Sequence, residues 1–318
     1  MLQEPAGGAI VDVAKSVDRM VRKALEWSKE NIDVIMNFLN EHTNLIVSYS
    51  GTGAIPAKIF SSIVRVLVQS RGFEALPSSE VAVHIAPYRE ERFAVLHFMP
   101  EMWSRNETAR LSDVLFLMEV PSLYIVPDAN DPVLSRKIPR DSILATPPGA
   151  DPLTCQVLIS ALSSVKYAVR LTSRGDLRVN RLLYEFSEYA GIVQDLLDSY
   201  TDSLVELLSH ATRGRSIVLL YTSILEPVAL SMARVLHEST SVEAYELSFG
   251  LGLVKRGGQE VYIVHSTPEE DLVRDARFRA LREGVKLKTI ELRTDPLSAM
   301  LYGYILSMLL RELRSLHV

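Results

Sequence analysis

The chain has 318 residues, 47% of them hydrophobic and 23% charged, enough for a full core; this excludes a disordered chain. Its 34 basic and 39 acidic residues are well mixed and leave a net charge of -5, which excludes the dense basic face of a nonspecific nucleic-acid binder. A single cysteine, Cys155, excludes an internal disulfide and points to a reducing compartment. The first ten residues lack the basic-then-apolar pattern of a secretory signal, so a cytoplasmic protein is expected. The longest apolar stretch, Leu297 to Leu310, is shorter than the ~20 residues that span a bilayer, and no membrane association is expected. Plentiful arginine and glutamate with scarce cysteine fit a thermophile.

At roughly 150 residues per domain the length predicts two domains. Residues 11–42 read as a helix, with Val11, Ala14, Val17, Val21, Leu25, Ile32, Ile35 and Leu39 at helical spacing. Strand 44–49, helix 54–70, strands 80–86 and 92–98, helix 105–119 and strand 121–127 follow. A proline-rich stretch with one short strand (Ser142 to Leu144) leads to helix 152–170. Ser173, Gly175 and Asp176 mark a linker, which divides the chain into domains 1–172 and 173–318. The second half reads as helix 178–212, strand 216–222, helix 226–237, strand 242–247, a glycine-rich loop over 250–258, strand 260–265, helix 268–283, strand 286–292 and helix 296–316.

The same order of elements thus occurs twice. Strands alternating with helices predict an α/β fold, two tandem flavodoxin-like three-layer domains with mostly parallel sheets and helices on both faces. Runs such as Ile217 to Leu220 and Val261 to Val264 suit strands buried on both faces. Ligands of such sheets bind beyond the carboxyl ends of the strands. The loops that end the first strands of each half, and the loops after Phe98 and Leu247, are therefore candidate linings.

The first of those loops carries the most chemistry. An apolar strand (Leu45 to Val47) runs into Ser48, Ser50, Gly51, Thr52 and Gly53, and a helix with Pro56 in its first turn follows. Glycines allow close backbone approach, first-turn amides lack intrahelical partners, and short hydroxyls can bond phosphate oxygens. Ala54 and Ile55 stand where a nucleotide P-loop has its lysine, so a small phosphorylated ligand is expected in place of a nucleoside triphosphate. The alternative is a tight turn with a capping hydroxyl that binds nothing.

The layout, with Gly51-Thr52-Gly53 opening the first domain, resembles tandem sugar isomerase (SIS) proteins, nearest the archaeal-type bifunctional phosphoglucose/phosphomannose isomerases. That resemblance implies an aldose–ketose isomerase of hexose 6-phosphates acting through a cis-enediol. It needs no metal or organic cofactor, and it implies a homodimer. Thr52 takes the place of the phosphate-contacting hydroxyl. Met99 to Thr108 takes the place of the second phosphate loop, where Ser104, Asn106 and Thr108 match and the glycine is replaced. Arg105 is a possible substitute ligand, and Ser104 with Glu107 is alternatively a capping box. Asp151 stands in place of an arginine. Glu238, after His237 at the end of helix 226–237, takes the position of the isomerisation base. The ring-opening histidine and a lysine near the last helix have no counterpart; His97 and His265, at strand carboxyl ends, could replace the histidine or be core residues.

The candidate residues are thus Glu238 and His237 for catalysis and Ser48, Ser50, Gly51, Thr52, Gly53, Ser104 and Thr108 for phosphate. No histidine pair has metal-ligand spacing, so no metal is expected. The missing groups leave a second reading open, a catalytically inactive phosphosugar-binding regulator, and a third, a structural remnant without a ligand. Helix 296–316, with Leu297, Met300, Leu301, Tyr304, Ile305, Met308, Leu309 and Leu313, reads as a buried or a dimer-facing helix.

Overall fold

A computed structural model describes residues 7–42, 44–68, 73–172, 177–187, 192–254 and 259–316. They fall into two compact units, Met20–Glu188 and Met1–Arg19 with Tyr189–Val318. The linker expected at 173–176 lies outside the described residues.

The chain begins with α1 (Gly7–Glu41), whose residues up to Arg19 belong to the second unit and whose remainder belongs to the first. In the first unit β1 (Leu45–Tyr49), α2 (Ala54–Leu67), β2 (Ala75–Pro77), β3 (Ala94–Phe98), α3 (Arg105–Leu117), β4 (Ser122–Val126), β5 (Ile143–Ala145), α4 (Pro152–Leu171) and α5 (Leu177–Ser187) follow. The five strands are parallel in the order β2-β1-β3-β4-β5. Ile46, Val95, Tyr124 and Val126 bury one sheet face against Leu111 and Leu115 of α3 and against Val81 and Ala82. On α2, Ile59, Phe60, Ile63 and Val64 are fully buried, and Ser160 of α4 donates to the Pro56 carbonyl at 2.5 Å.

The segment 80–86 is helical, which corrects the expected strand. Val81, Val83 and Ile85 alternate as a strand would, but Val81, Ala82 and Ala86 are the buried side chains and Val83 is half exposed. A π-type turn, closed by the Ala86 amide on the Val81 carbonyl at 2.8 Å, puts the buried positions on one face. The strand beside β1 is instead Ala75–Pro77, too short to leave a periodic signal.

The second unit contains α6 (Ile192–Thr212), β6 (Ser216–Tyr221), α7 (Glu226–His237), β7 (Val242–Glu246), β8 (Gln259–Ser266), α8 (Glu270–Glu283), β9 (Leu287–Leu292) and α9 (Pro296–Ser315). Its parallel sheet has the order β7-β6-β8-β9, the first sheet's order without a fifth strand. The helix expected over 178–212 is present as α5 and α6, with 188–191 outside the described residues. Residues Leu247–Gly250 form a helical turn where a loop was expected, and Gly257 and Gly258 lie outside the described residues.

The apolar side chains of α9 are consumed within their own unit. Leu297, Met300, Leu301, Tyr304, Ile305, Met308, Leu309 and Leu313 are all buried. Gly303 permits this, since a Cβ there would lie 2.4 Å from a Val228 methyl of α7. Of the two readings of this helix, buried or dimer-facing, the structure has the buried one, with α6, α7 and the sheet packed against it.

Candidate functional site

Both sheets reverse strand order at their first strand, and the crevice beyond that point is where such folds bind ligands. In the first sheet the crevice opens between the ends of β1 and β3. Tyr49 ends β1, extended Ser50 donates its amide to the Phe98 carbonyl at 3.1 Å, and Gly51–Gly53 make one 3-10 turn before α2. Gly51 has φ of +58°, which favours glycine. A Cβ on Gly53 would lie 2.1 Å from the Phe98 carbonyl oxygen, so only glycine lets α2 start this close to β3. No side chain caps α2.

Beneath the turn lies a polar knot that the sequence reading assembled only in part. Ser50 Oγ donates to Ser78 Oγ at 2.9 Å and accepts from Thr108 Oγ1 at 3.2 Å, and His97 Nε2 is 3.0 Å from Thr108 Oγ1 and 3.4 Å from Ser50 Oγ. All four residues are buried, and burial lowers the His97 imidazole to about 3, so it is neutral near pH 7. Ser50 and Thr108 are thus brought together, but each already has partners inside the protein. Ser78 and His97 complete the knot. Their only sequence signal is their place beside strand ends.

The other predicted phosphate groups have different surroundings. Ser48 Oγ and Thr52 Oγ1 are buried without a hydrogen-bond partner. Ser104 Oγ donates to the Glu101 carbonyl at 2.8 Å and makes no capping bond, so the expected Ser104–Glu107 capping box is not formed. A capping box occurs instead at the matching turn of the second sheet, between Ser266 and Glu269. Arg105 pairs with buried Asp131 at 3.3 Å. Asp151 caps α4, accepting from the Thr154 amide at 2.9 Å and the Thr154 hydroxyl at 2.5 Å.

Two side chains from the β3–α3 loop cover the turn. A Cβ on Gly51 would lie 2.9 Å from Trp103 Cζ2 and 3.3 Å from Glu101 Oε2. Trp103 is 68% exposed, so its indole lies over the turn without being locked in the core. Glu101 was not among the predicted site residues, yet it is the carboxylate against the glycine loop.

The predicted catalytic pair lies in the second unit. Helix α7 leaves the carboxyl edge of the second sheet and returns to the amino edge to start β7, so its C-terminal residues are carried away from the crevice. His237 and Glu238 are exposed there, and Glu238 is bonded to Arg314. At the carboxyl edge of the same sheet stand two other groups. The buried Thr222 Oγ1 and the buried His265 Nε2 have no hydrogen-bond partner, and His265 Nε2 is 3.7 Å from Glu270 Oε2. Among the described residues no group of three or more His, Cys, Asp or Glu could hold a metal ion, and no helix is long and apolar enough to cross a membrane.

No family model and no curated protein matches the sequence. Solved structures do match in shape. A protein assigned to sugar binding from Salmonella typhimurium LT2 aligns with a TM-score of 0.68 at 15% identity, over 98% of this chain and 99% of its own. The C-terminal domain of glucosamine-fructose-6-phosphate aminotransferase from Francisella tularensis gives 0.67 at 13% identity, over 96% and 93%. Tagatose-6-phosphate ketose/aldose isomerase from Escherichia coli gives 0.62 at 12% identity, over 99% and 96%. At these identities the likeness is one of fold. The chain has the α/β architecture of SIS-type, flavodoxin-like domains, with two parallel sheets flanked by helices.

Proposed function

We propose that the protein binds a hexose 6-phosphate, with the phosphate received by the Ser50–Gly53 turn at the head of α2. The observation that carries this reading is the Thr52 hydroxyl, buried and without a hydrogen-bond partner in a glycine-flanked turn at the strand-order reversal. A phosphate oxygen would satisfy that hydroxyl, and the helix amides would favour its charge. Trp103 and Glu101 lie over the turn, so a ligand entering it must displace them. The ligand class follows the fold neighbours, which act on tagatose 6-phosphate and fructose 6-phosphate.

A second reading, aldose–ketose isomerisation of the same ligand through a cis-enediol, draws support from the likeness to a ketose/aldose isomerase. It needs a carboxylate beside the reacting carbons. Glu238, the expected base, is exposed at the amino edge of its own sheet. Thermal-shift measurements with fructose, glucose and mannose 6-phosphates, paired with an interconversion assay, test both. Stabilisation by a hexose 6-phosphate is expected. Turnover that Glu238→Gln abolishes would restore the isomerase and its predicted base.

A further inference from the structure

The two sheets differ at one edge. Tyr49 and Tyr221 each end the first strand of a sheet, one residue ahead of a three-residue turn, so the two registers match residue for residue. Tyr49 lies beside Phe98 and Phe98 beside Ile125, while Tyr221 lies beside Val264 and Val264 beside Ile290. Val126 of β4 therefore corresponds to Glu291 of β9. The outer edge of β4 is covered by β5, and the Thr146 amide just after β5 donates to the Val126 carbonyl at 2.9 Å. Among the described residues no strand pairs with the outer edge of β9.

A side chain takes the strand's place there. The Tyr200 hydroxyl of α6 donates to the Glu291 carbonyl at 2.7 Å and accepts from the Arg293 amide at 3.3 Å. Residues two apart in a strand present their backbone groups to the same side, so Thr289 shares this edge with Glu291 and Arg293. A groove of about 440 Å³ runs beside Thr289 to Arg293 and is walled opposite by Leu196, Ser199 and Ser203 of α6, which leaves space for an extended segment. The template for that segment is β5, whose Leu144, 7% exposed, lies opposite Ile125. Ile290 occupies the matching position in β9. We infer that the outer edge of β9 is a strand-addition surface for an extended peptide. The peptide lies parallel to β9, sets a branched apolar side chain beside Ile290 and replaces the Tyr200 hydroxyl with a backbone amide.

The probe is the end-blocked peptide Asp-Ser-Ile-Leu-Ala-Thr-Pro, which copies residues 141–147. In calorimetric titration of the full chain it should bind saturably at millimolar concentration. Tyr200→Phe frees both backbone groups and keeps the packing of the ring, and Tyr200→Ala clears the ring as well. Each variant should bind the peptide about tenfold more tightly than the wild type. A peptide that displaced β5 from the first sheet would be indifferent to residue 200. N-methylation of the peptide's threonine amide should weaken binding about tenfold, whereas N-methylation of its alanine amide, which faces away from β9, should not. No saturable binding by any of the three proteins, an affinity unchanged in both variants, or equal affinities of the two methylated peptides would overturn the assignment. Self-association of Tyr200→Phe in sedimentation, without peptide binding, would overturn the peptide as occupant and put a second copy of the chain on this edge.

Discussion

The Trp103 indole lies across Gly51, so close that a methyl carbon on that glycine would meet Cζ2 at 2.9 Å. Glu101 approaches the same glycine from the same loop. A phosphate entering the turn must displace the ring and overcome the carboxylate's repulsion. Removing either obstacle should therefore strengthen binding. Glu101→Gln is expected to tighten hexose 6-phosphate binding by about tenfold, and Trp103→Ala by a similar factor, in calorimetric titration. Weaker binding in both would show that these side chains hold the ligand.

Gly53 decides whether the turn forms at all. Alanine there places a Cβ 2.1 Å from the Phe98 carbonyl oxygen, a backbone atom held within the β1/β3 pairing. Gly53→Ala should cost about 3 kcal/mol or more in urea unfolding, beyond ordinary overpacking. Gly214, with no atom within 4 Å of a Cβ, is the control: Gly214→Ala carries only the strain of its φ of +68°.

The polar knot makes the fold acid-sensitive. Folded His97 titrates near 3 because burial disfavours its charged form, while the unfolded imidazole titrates near 6.5. Above pH 6.5 both states are neutral and this residue's contribution to stability is complete. Below it the unfolded chain takes up a proton that the folded chain refuses, so stability falls as pH drops from 6.5 toward 3. The loss should be on the order of a few kcal/mol, measured as the fall in urea midpoint between the two ends of that window. His97→Gln, which does not titrate, should lose less stability over the same range.

Glu238 makes a contact typical of a surface. It is exposed and bonded to Arg314 across the end of α7. Glu238→Gln should change stability by less than about 1 kcal/mol and leave hexose 6-phosphate binding unchanged. A loss of binding in that variant would put this carboxylate at the ligand.

Much of the fold was legible because its signals are local. Helix α7 matches the predicted 226–237 residue for residue, with Pro227 in its first turn, and buried strands such as β6 and β8 announce themselves as apolar runs. The segment 80–86 misled because its alternating β-branched residues fit two periods, and only packing against α3 selects the helix. At the site, the sequence pointed to Ser50, Thr52 and Thr108 because a loop between strand and helix is visible locally. It marked the Met99–Thr108 loop without singling out Glu101 or Trp103, and it gave no sign of Ser78, because which side chains face the turn depends on the pairing of β3 beside β1. Glu238 was assigned by position in a resembled layout, and helix direction takes it to the opposite edge.

Phosphate binding at the turn depends on the hydroxyl of Thr52. Calorimetric titration of the wild-type chain and of Thr52→Val with fructose 6-phosphate tests it directly. Saturable binding by the wild type is expected, with stabilisation approaching about 2.7 kcal/mol at a hundredfold excess over Kd, and a loss of at least about tenfold in affinity for the valine variant. Equal affinity in the two proteins, or no binding by the wild type, would contradict it.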